Sequence, residues 1–218
     1  MTDKALKLVN AFYAAKRVNH YYHMHTSGDE LVNQRVSVEN IHKIIELLTD
    51  LVIEKDEVDV ESEFHRAFVE RYVDQAGNKV NKIHVIKSEA SWWKRFACVK
   101  ELCHILVDTE EDFQPDPCVT IGNMKETPHF MEEHTSPEAD SEYLAEVIAM
   151  ELIYPLEHRR EDIMMLEQAS TTIEAISERR DVPRKYVSLG VTNGHFETCV
   201  KIWKSLKAVE PPNLDELL

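Results

Sequence analysis

The sequence predicts an α+β fold that is mostly helical, with a small antiparallel sheet, a hairpin, beside one buried helix. Apolar residues recur at intervals of three and four in most segments, which is the period of a helix with a buried face. Only segments 64–73 and 79–86 have strand-type composition, and they flank a turn-rich stretch over 74–78. The 218 residues suffice for one sizeable core, so we expect one compact unit.

Two amphipathic helices are predicted before the hairpin. The first covers residues 4–25, and the second begins after Ser37, whose hydroxyl is a typical N-cap. The acidic stretch 56–63 follows the second helix, and its charge predicts an exposed loop.

The central helix is predicted over 92–108, capped by the Ser-rich stretch 88–91. Its apolar positions cover most of the circumference, so the helix should be buried on nearly all sides. Three ionisable residues interrupt this surface: Lys100, Glu101 and His104. Positions 100 and 104 are one turn apart on the same face, with Glu101 about 100° round the helix. Burying such groups is costly unless they pair or bind a metal, so this is the candidate site.

Helices also dominate the rest of the chain. Residues 109–136 are acidic, contain three prolines and lack periodicity, which predicts a long loop. Ser136 and Pro137 are a typical helix start, and the helix they begin should end at Tyr154-Pro155. One more amphipathic helix is predicted over 157–180. Residues 181–191 then resemble the second half of a helix-turn-helix, and a last helix follows Gly194.

The central helix resembles the zincin motif His-Glu-x-x-His, with lysine in place of the first histidine. Arg95-Phe96 followed by Lys-Glu-Leu-Cys-His over 100–104 is similar to the Arg-Phe-x-x-x-His-Glu-Leu-Gly-His stretch of the ImmA/IrrE family of metallopeptidases. The helix from Glu142 to Pro155 resembles that family's Glu-x-x-Ala-Asn-x-Phe-Ala-x-x-Leu-Leu-x-Pro helix. It departs from the pattern at Glu146 and Ile148.

The resemblance implies a zincin-like core over 1–155, a helical extension packed on it over 156–210, and a tail over 211–218. It also implies that His104 and Glu142 are zinc ligands and that Glu101 takes the proton from metal-bound water. An edge strand of the hairpin would hold substrate as an added strand. Family members of this kind cut helix-turn-helix repressors and so switch on mobile-element, phage or stress genes.

Lys100 leaves three interpretations open. A lysine ligates metal only as the neutral amine, and deprotonating it near pH 7 costs on the order of 5 kcal/mol. The ammonium could instead replace zinc as a cation paired with Glu101 and Glu142, giving a pseudo-enzyme that binds its partner without cutting it. Alternatively, His129 or His134 from the long loop rebuilds the zinc site of an active endopeptidase. The third interpretation is that the motif is misread.

Charge and hydropathy restrict the partners. Asp and Glu total 40 against 25 Lys and Arg, a formal net charge of −15, which opposes attraction to phosphate backbones. We therefore expect no direct nucleic-acid binding, and a protein or peptide as partner. No run approaches the roughly 20 apolar residues of a membrane span, so we expect no membrane partner and a cytoplasmic location.

Overall fold

The computed structural model describes residues 3–25, 36–60, 66–108 and 137–207. Within these ranges the chain forms eight helices and three strands, so the predicted mixed, mostly helical class is confirmed. The helices are α1 (Asp3–His25), α2 (Val38–Thr49), α3 (Ser91–Val107), α4 (Pro137–Ile153), α5 (Leu156–Glu167), α6 (Ile173–Arg180), α7 (Arg184–Gly190) and α8 (Asn193–Leu206). The strands are β1 (Val52–Val58), β2 (Ala67–Val73) and β3 (Lys79–Ile86).

The sheet has the order β1-β3-β2. β2 and β3 pair antiparallel, with Val73 opposite Lys79, so the predicted hairpin is confirmed. Its turn is held by Asp74, whose Oδ1 accepts hydrogen bonds of 2.8 Å from the backbone N–H groups of Ala76 and Asn78. β1 pairs with β3 in parallel, so the sheet is mixed rather than wholly antiparallel as expected.

The prediction of an exposed loop over 56–63 is wrong at its start, because residues 56–58 complete β1. Two of the acids that suggested a loop pair from opposite faces of β1: Glu57, on the Ile53 face, lies 3.0 Å from Lys94 of α3, and Asp56 bonds across the other face. Asp56 Oδ2, for example, lies 3.0 Å from Lys82 Nζ of β3. Backbone pairing with β3 and these ion pairs outweigh the low strand propensity of the acids. Residues 61–63 lie outside the described residues.

The single helix expected over 157–180 is also wrong, since the chain breaks between α5 and α6. Ala169 adopts a left-handed conformation with φ 53°, which ends the first helix. The side chain of Thr172 then caps α6 by accepting a hydrogen bond from the Ala175 N–H. Gln168, Ala169 and Ser170 in this break are all exposed.

The predicted side-chain N-cap is present at α2 but absent at α3. Ser37 Oγ accepts a hydrogen bond of 3.2 Å from the Asn40 N–H, as predicted. At α3 the N-cap is Ala90, which makes no side-chain cap, so the prediction that 88–91 would cap this helix chemically is wrong.

Helices α3 and α4 pack against each other in the main core, which also includes side chains of α1, α2, α6, α7 and the sheet. Phe96, Val99, Leu102 and Cys103 of α3 are at most 1 % exposed, which confirms the predicted burial. On the facing helix, Ala145, Ile148 and Ala149 are fully buried. This packing brings the polar positions of α3 against the start of α4. No helix in the described ranges combines the length and apolar character needed to cross a membrane.

Candidate functional site

The polar residues of α3 meet α4 at Glu142. Lys100 Nζ donates a hydrogen bond of 2.6 Å to Glu142 Oε2, and it lies 3.0 Å from Glu101 Oε1. His104 Nε2 lies 3.0 Å from the other oxygen of Glu142, Oε1. We call Lys100, Glu101, His104 and Glu142 the lysine cluster. The structure thus brings together the four residues that the sequence singled out, with the ion pairs expected of Lys100, while their roles stay predictions.

A second layer orients His104. Its Nδ1 lies 3.0 Å from Ser141 Oγ and 3.2 Å from Asp108 Oδ1. The Ser141 hydroxyl in turn donates to Asp108, and Arg71 Nη2 of β2 donates to Asp108 Oδ2 over 2.6 Å. The ring is therefore fixed with Nε2 facing Glu142, an arrangement also used to orient histidine ligands of metals.

These supporting residues were missed by sequence reasoning. Asp108 is four residues after His104, and Ser141 directly precedes Glu142. Their spacing in the sequence could therefore have indicated that both lie near the site. Arg71 carried none, because only the packing of the hairpin against α3 brings it to Asp108. His129 and His134, the expected rescue ligands, lie outside the described residues.

Charge interactions set the protonation of the cluster. Burial alone would lower the pKa of Lys100, but the charges of Glu101 and Glu142 outweigh it and raise the pKa above its ordinary value. Burial likewise opposes the charged form of His104, yet Glu142 and the hydrogen bond to Asp108 raise its pKa to about 10. For Glu142, burial is overcome by Lys100 and His104, which lower the pKa of its carboxyl group. The site therefore holds an ammonium and an imidazolium against carboxylates.

Zinc does not fit the cluster in this form. A catalytic zinc takes three protein ligands. Among the described residues of the cluster, Glu142 could coordinate zinc directly, and His104 could do so after its imidazolium loses a proton. At the third position Lys100 is an ammonium, which has no lone pair. Because its pKa is raised, forming the neutral amine that could bind a metal costs still more free energy. In the described part of the chain, no group of three or more His, Cys, Asp or Glu side chains is placed to hold a metal ion.

One atom of the cluster nevertheless lacks a good hydrogen bond. His104 Nε2 is buried and lies 3.0 Å from Glu142 Oε1, but the two groups are not aligned for a hydrogen bond. The contact is therefore electrostatic. Chemically, the cluster provides a fixed cation between two carboxylates. It provides no amine nucleophile, because Lys100 stays protonated.

Residues 181–191, whose sequence resembles the second half of a helix-turn-helix, form the turn after α6 and then α7. The basic side chains of α6 and α7 are largely paired within the protein. Arg179 and Arg180 lie 2.6 Å and 2.9 Å from Asp162 Oδ1, and Lys185 Nζ lies 3.6 Å from Glu146. These pairs leave little free positive charge on α6 and α7 for a phosphate backbone.

Together, fold and site define a mixed α+β protein with a buried ion-pair cluster between two packed helices. No family model, curated protein or solved structure matches the chain.

Proposed function

We propose that the protein is a degenerate relative of the ImmA/IrrE metallopeptidases that binds a regulatory protein, such as a helix-turn-helix repressor, without cutting it. The observation that supports this most is the position of Lys100 Nζ, 2.6 Å from Glu142 and 3.0 Å from Glu101. The ammonium sits between the carboxylates that the resemblance assigns to zinc binding and to proton transfer.

This arrangement removes both elements of metallopeptidase chemistry. Hydrolysis requires a metal to lower the pKa of the attacking water. It also requires a carboxylate that is free to accept the proton of that water. Here the ammonium takes the place of the metal, and Glu101 is already engaged with it.

Strand β2 is the surface best suited to hold a partner. It is an edge strand, and no other described strand pairs with its outer side. Phe68 and Tyr72 are each 37 % exposed and Val73 is 65 % exposed, so the strand presents apolar side chains along this edge. Arg71 of the same strand bonds to Asp108 in the second layer of the site. An extended partner segment added to β2 would lie next to the lysine cluster.

A second candidate, an active zinc endopeptidase with a rebuilt metal site that cleaves such a repressor, is favoured by His104. Its Nδ1 is held by Asp108 and Ser141, and its buried Nε2 has no hydrogen bond of good geometry. Loss of the imidazolium proton would leave Nε2 oriented to coordinate a metal. His129 or His134 would then complete the site in place of Lys100.

Metal content distinguishes the two candidates. The wild-type protein, Lys100→His, His104→Ala and Glu142→Ala would be loaded with zinc, desalted and measured by mass spectrometry. We expect no stoichiometric zinc in the wild type and about one zinc per chain in Lys100→His. Zinc in the wild type that is lost in both alanine variants would overturn the pseudo-enzyme proposal in favour of the second candidate.

Binding would be tested by co-elution of the full-length protein with candidate helix-turn-helix repressors, followed by mass analysis of the repressor. Val73→Asp on β2 should abolish binding, whereas Val52→Asp on the opposite edge strand is the matched control and should not. An intact repressor bound through β2 supports the proposal, and a cleaved one contradicts it.

A further inference from the structure

A cavity of about 670 Å³ lies between α1, α4, α5 and α8, away from the lysine cluster. Its wall includes Glu151 and Leu152 near the end of α4, roughly 13 Å along the helix axis from Glu142. No member of the lysine cluster lines it. Its volume is within the range of small-molecule sites in proteins.

Three cations border this cavity. Arg160 comes from α5, and Lys204 and Lys207 come from the end of α8. Across the described ranges none of the three forms an ion pair, although acidic residues outnumber basic ones by 40 to 25 in the chain. Unpaired cations gathered around a concave surface attract anions.

The carboxylates at the cavity do not cancel this charge. Glu151 is already engaged, because Arg159 Nη2 lies 2.6 Å from its Oε1 and Trp203 Nε1 donates to its Oε2 over 2.7 Å. Glu157 is exposed and is the other acid among the described residues of the wall. His158 adds no positive charge at neutral pH, because burial and the charge of Arg180 lower its pKa. The wall therefore keeps an excess of positive charge.

Apart from the polar Asn19 and His23, the rest of the described wall is apolar or aromatic. Tyr22, Leu152, Pro155, Val200 and Trp203 line it. Such a surface favours a ligand with an apolar or aromatic body beside its charged group. The first residues of α5 also line the cavity, and Pro155 as N-cap offers no side chain to their N–H groups. Glu157 in the first turn offsets the positive end of that helix, so the attraction for an anion comes from the three cations.

We propose that this cavity binds a small organic anion, in which a phosphate or carboxylate group contacts Arg160, Lys204 and Lys207 and an aromatic or apolar body packs on Trp203 and Leu152. This inference does not depend on the function proposed for the lysine cluster, because the two sites share no residue.

Binding of phenyl phosphate, inorganic phosphate and the neutral benzyl alcohol to the full-length protein would be followed by NMR, using the indole N–H of Trp203 and the amides of α5. We expect saturable shifts with phenyl phosphate and at least fivefold weaker binding of the other two probes. Charge reversal in Arg160→Glu combined with Lys204→Glu should weaken phenyl phosphate binding about tenfold or more.

The matched control is Lys201→Glu, which reverses an exposed lysine of α8 outside the cavity wall and should change affinity less than twofold. Thermal unfolding would verify that every variant is folded. The proposal is overturned if phenyl phosphate gives no saturable shift, if phosphate or benzyl alcohol binds equally well, or if Lys201→Glu weakens binding as much as the double variant does.

Discussion

Replacing Lys100 with methionine tests whether the ammonium holds the site together. Methionine keeps most of the packing volume of the lysine stem but removes the charge that faces Glu101 and Glu142. The Lys100 and Glu101 side chains are only 16 % and 4 % exposed, so water cannot take over the role of the ammonium. Two carboxylates would then repel each other in a largely dry site.

The expected cost is large for a single substitution. Removing one partner of a buried ion pair costs about 3–5 kcal/mol, and the 25 % exposure of Glu142 favours the lower end of that range. For a chain of this length, about 3 kcal/mol corresponds to a decrease in Tm of roughly 6–12 °C. Glu142 would still face His104, whereas Glu101 would lose its ion-pair partner, so adding Glu101→Gln should make the double variant more stable than Lys100→Met alone.

Urea and thermal unfolding followed by circular dichroism would measure these effects at pH 7. Lys94→Met is the matched control on the same helix, because Lys94 Nζ lies 3.0 Å from Glu57 in a pair that is 25 % and 50 % exposed. Such a pair contributes about 1 kcal/mol or less. If Lys100→Met is no more destabilising than Lys94→Met, the ammonium does not hold the cluster.

Two other predictions concern the C-terminal helices. Burial and the charge of Arg159 lower the pKa of His195 to about 4, so the unfolded state binds more protons below pH 6.5. Stability should fall by about 1 kcal/mol between pH 6.5 and 4, allowing for partial exposure, and an NMR titration midpoint of His195 near 6.5 would contradict this. Gly190→Ala places a Cβ 2.9 Å from both Met150 Cε and the fully buried ring of Tyr154, and should cost about 1–3 kcal/mol on urea unfolding. Gly194→Ala meets no atom within 4 Å; an equal cost there would exclude steric overlap as the cause.

Local patterns in the sequence predicted much of the fold. The second helix and its Ser37 cap, the hairpin and the buried face of α3 each follow from neighbouring residues along the chain. Strand β1 was missed because its partner β3 comes after β2 in the sequence, and the partners of its acids lie on β3, β2 and α3. The break at Ala169 was missed because helical periodicity resumes after it, so two short helices looked like one.

In the candidate site, too, residues that come together only through tertiary packing were not predicted. Helical spacing placed Lys100, Glu101 and His104 together, and the resemblance to a known family added Glu142 from another helix. The hydrogen bonds that fix His104 involve Ser141 and Asp108 and were not predicted. Arg71 could not be found from spacing, because it reaches Asp108 through packing between a strand and a helix.

The strand order also determines how the sheet can assemble. The hairpin of β2 and β3 closes through a turn of a few residues, so it can form early and locally. β1 pairs with the edge of β3 that faces away from β2, and all of β2 lies between β1 and β3 in the sequence. Pairing β1 with β3 therefore closes a longer loop than the hairpin does. We therefore expect β1 to join last during folding and to detach first in partial unfolding. Amide hydrogens bonded between β1 and β3 should then exchange faster than those between β2 and β3.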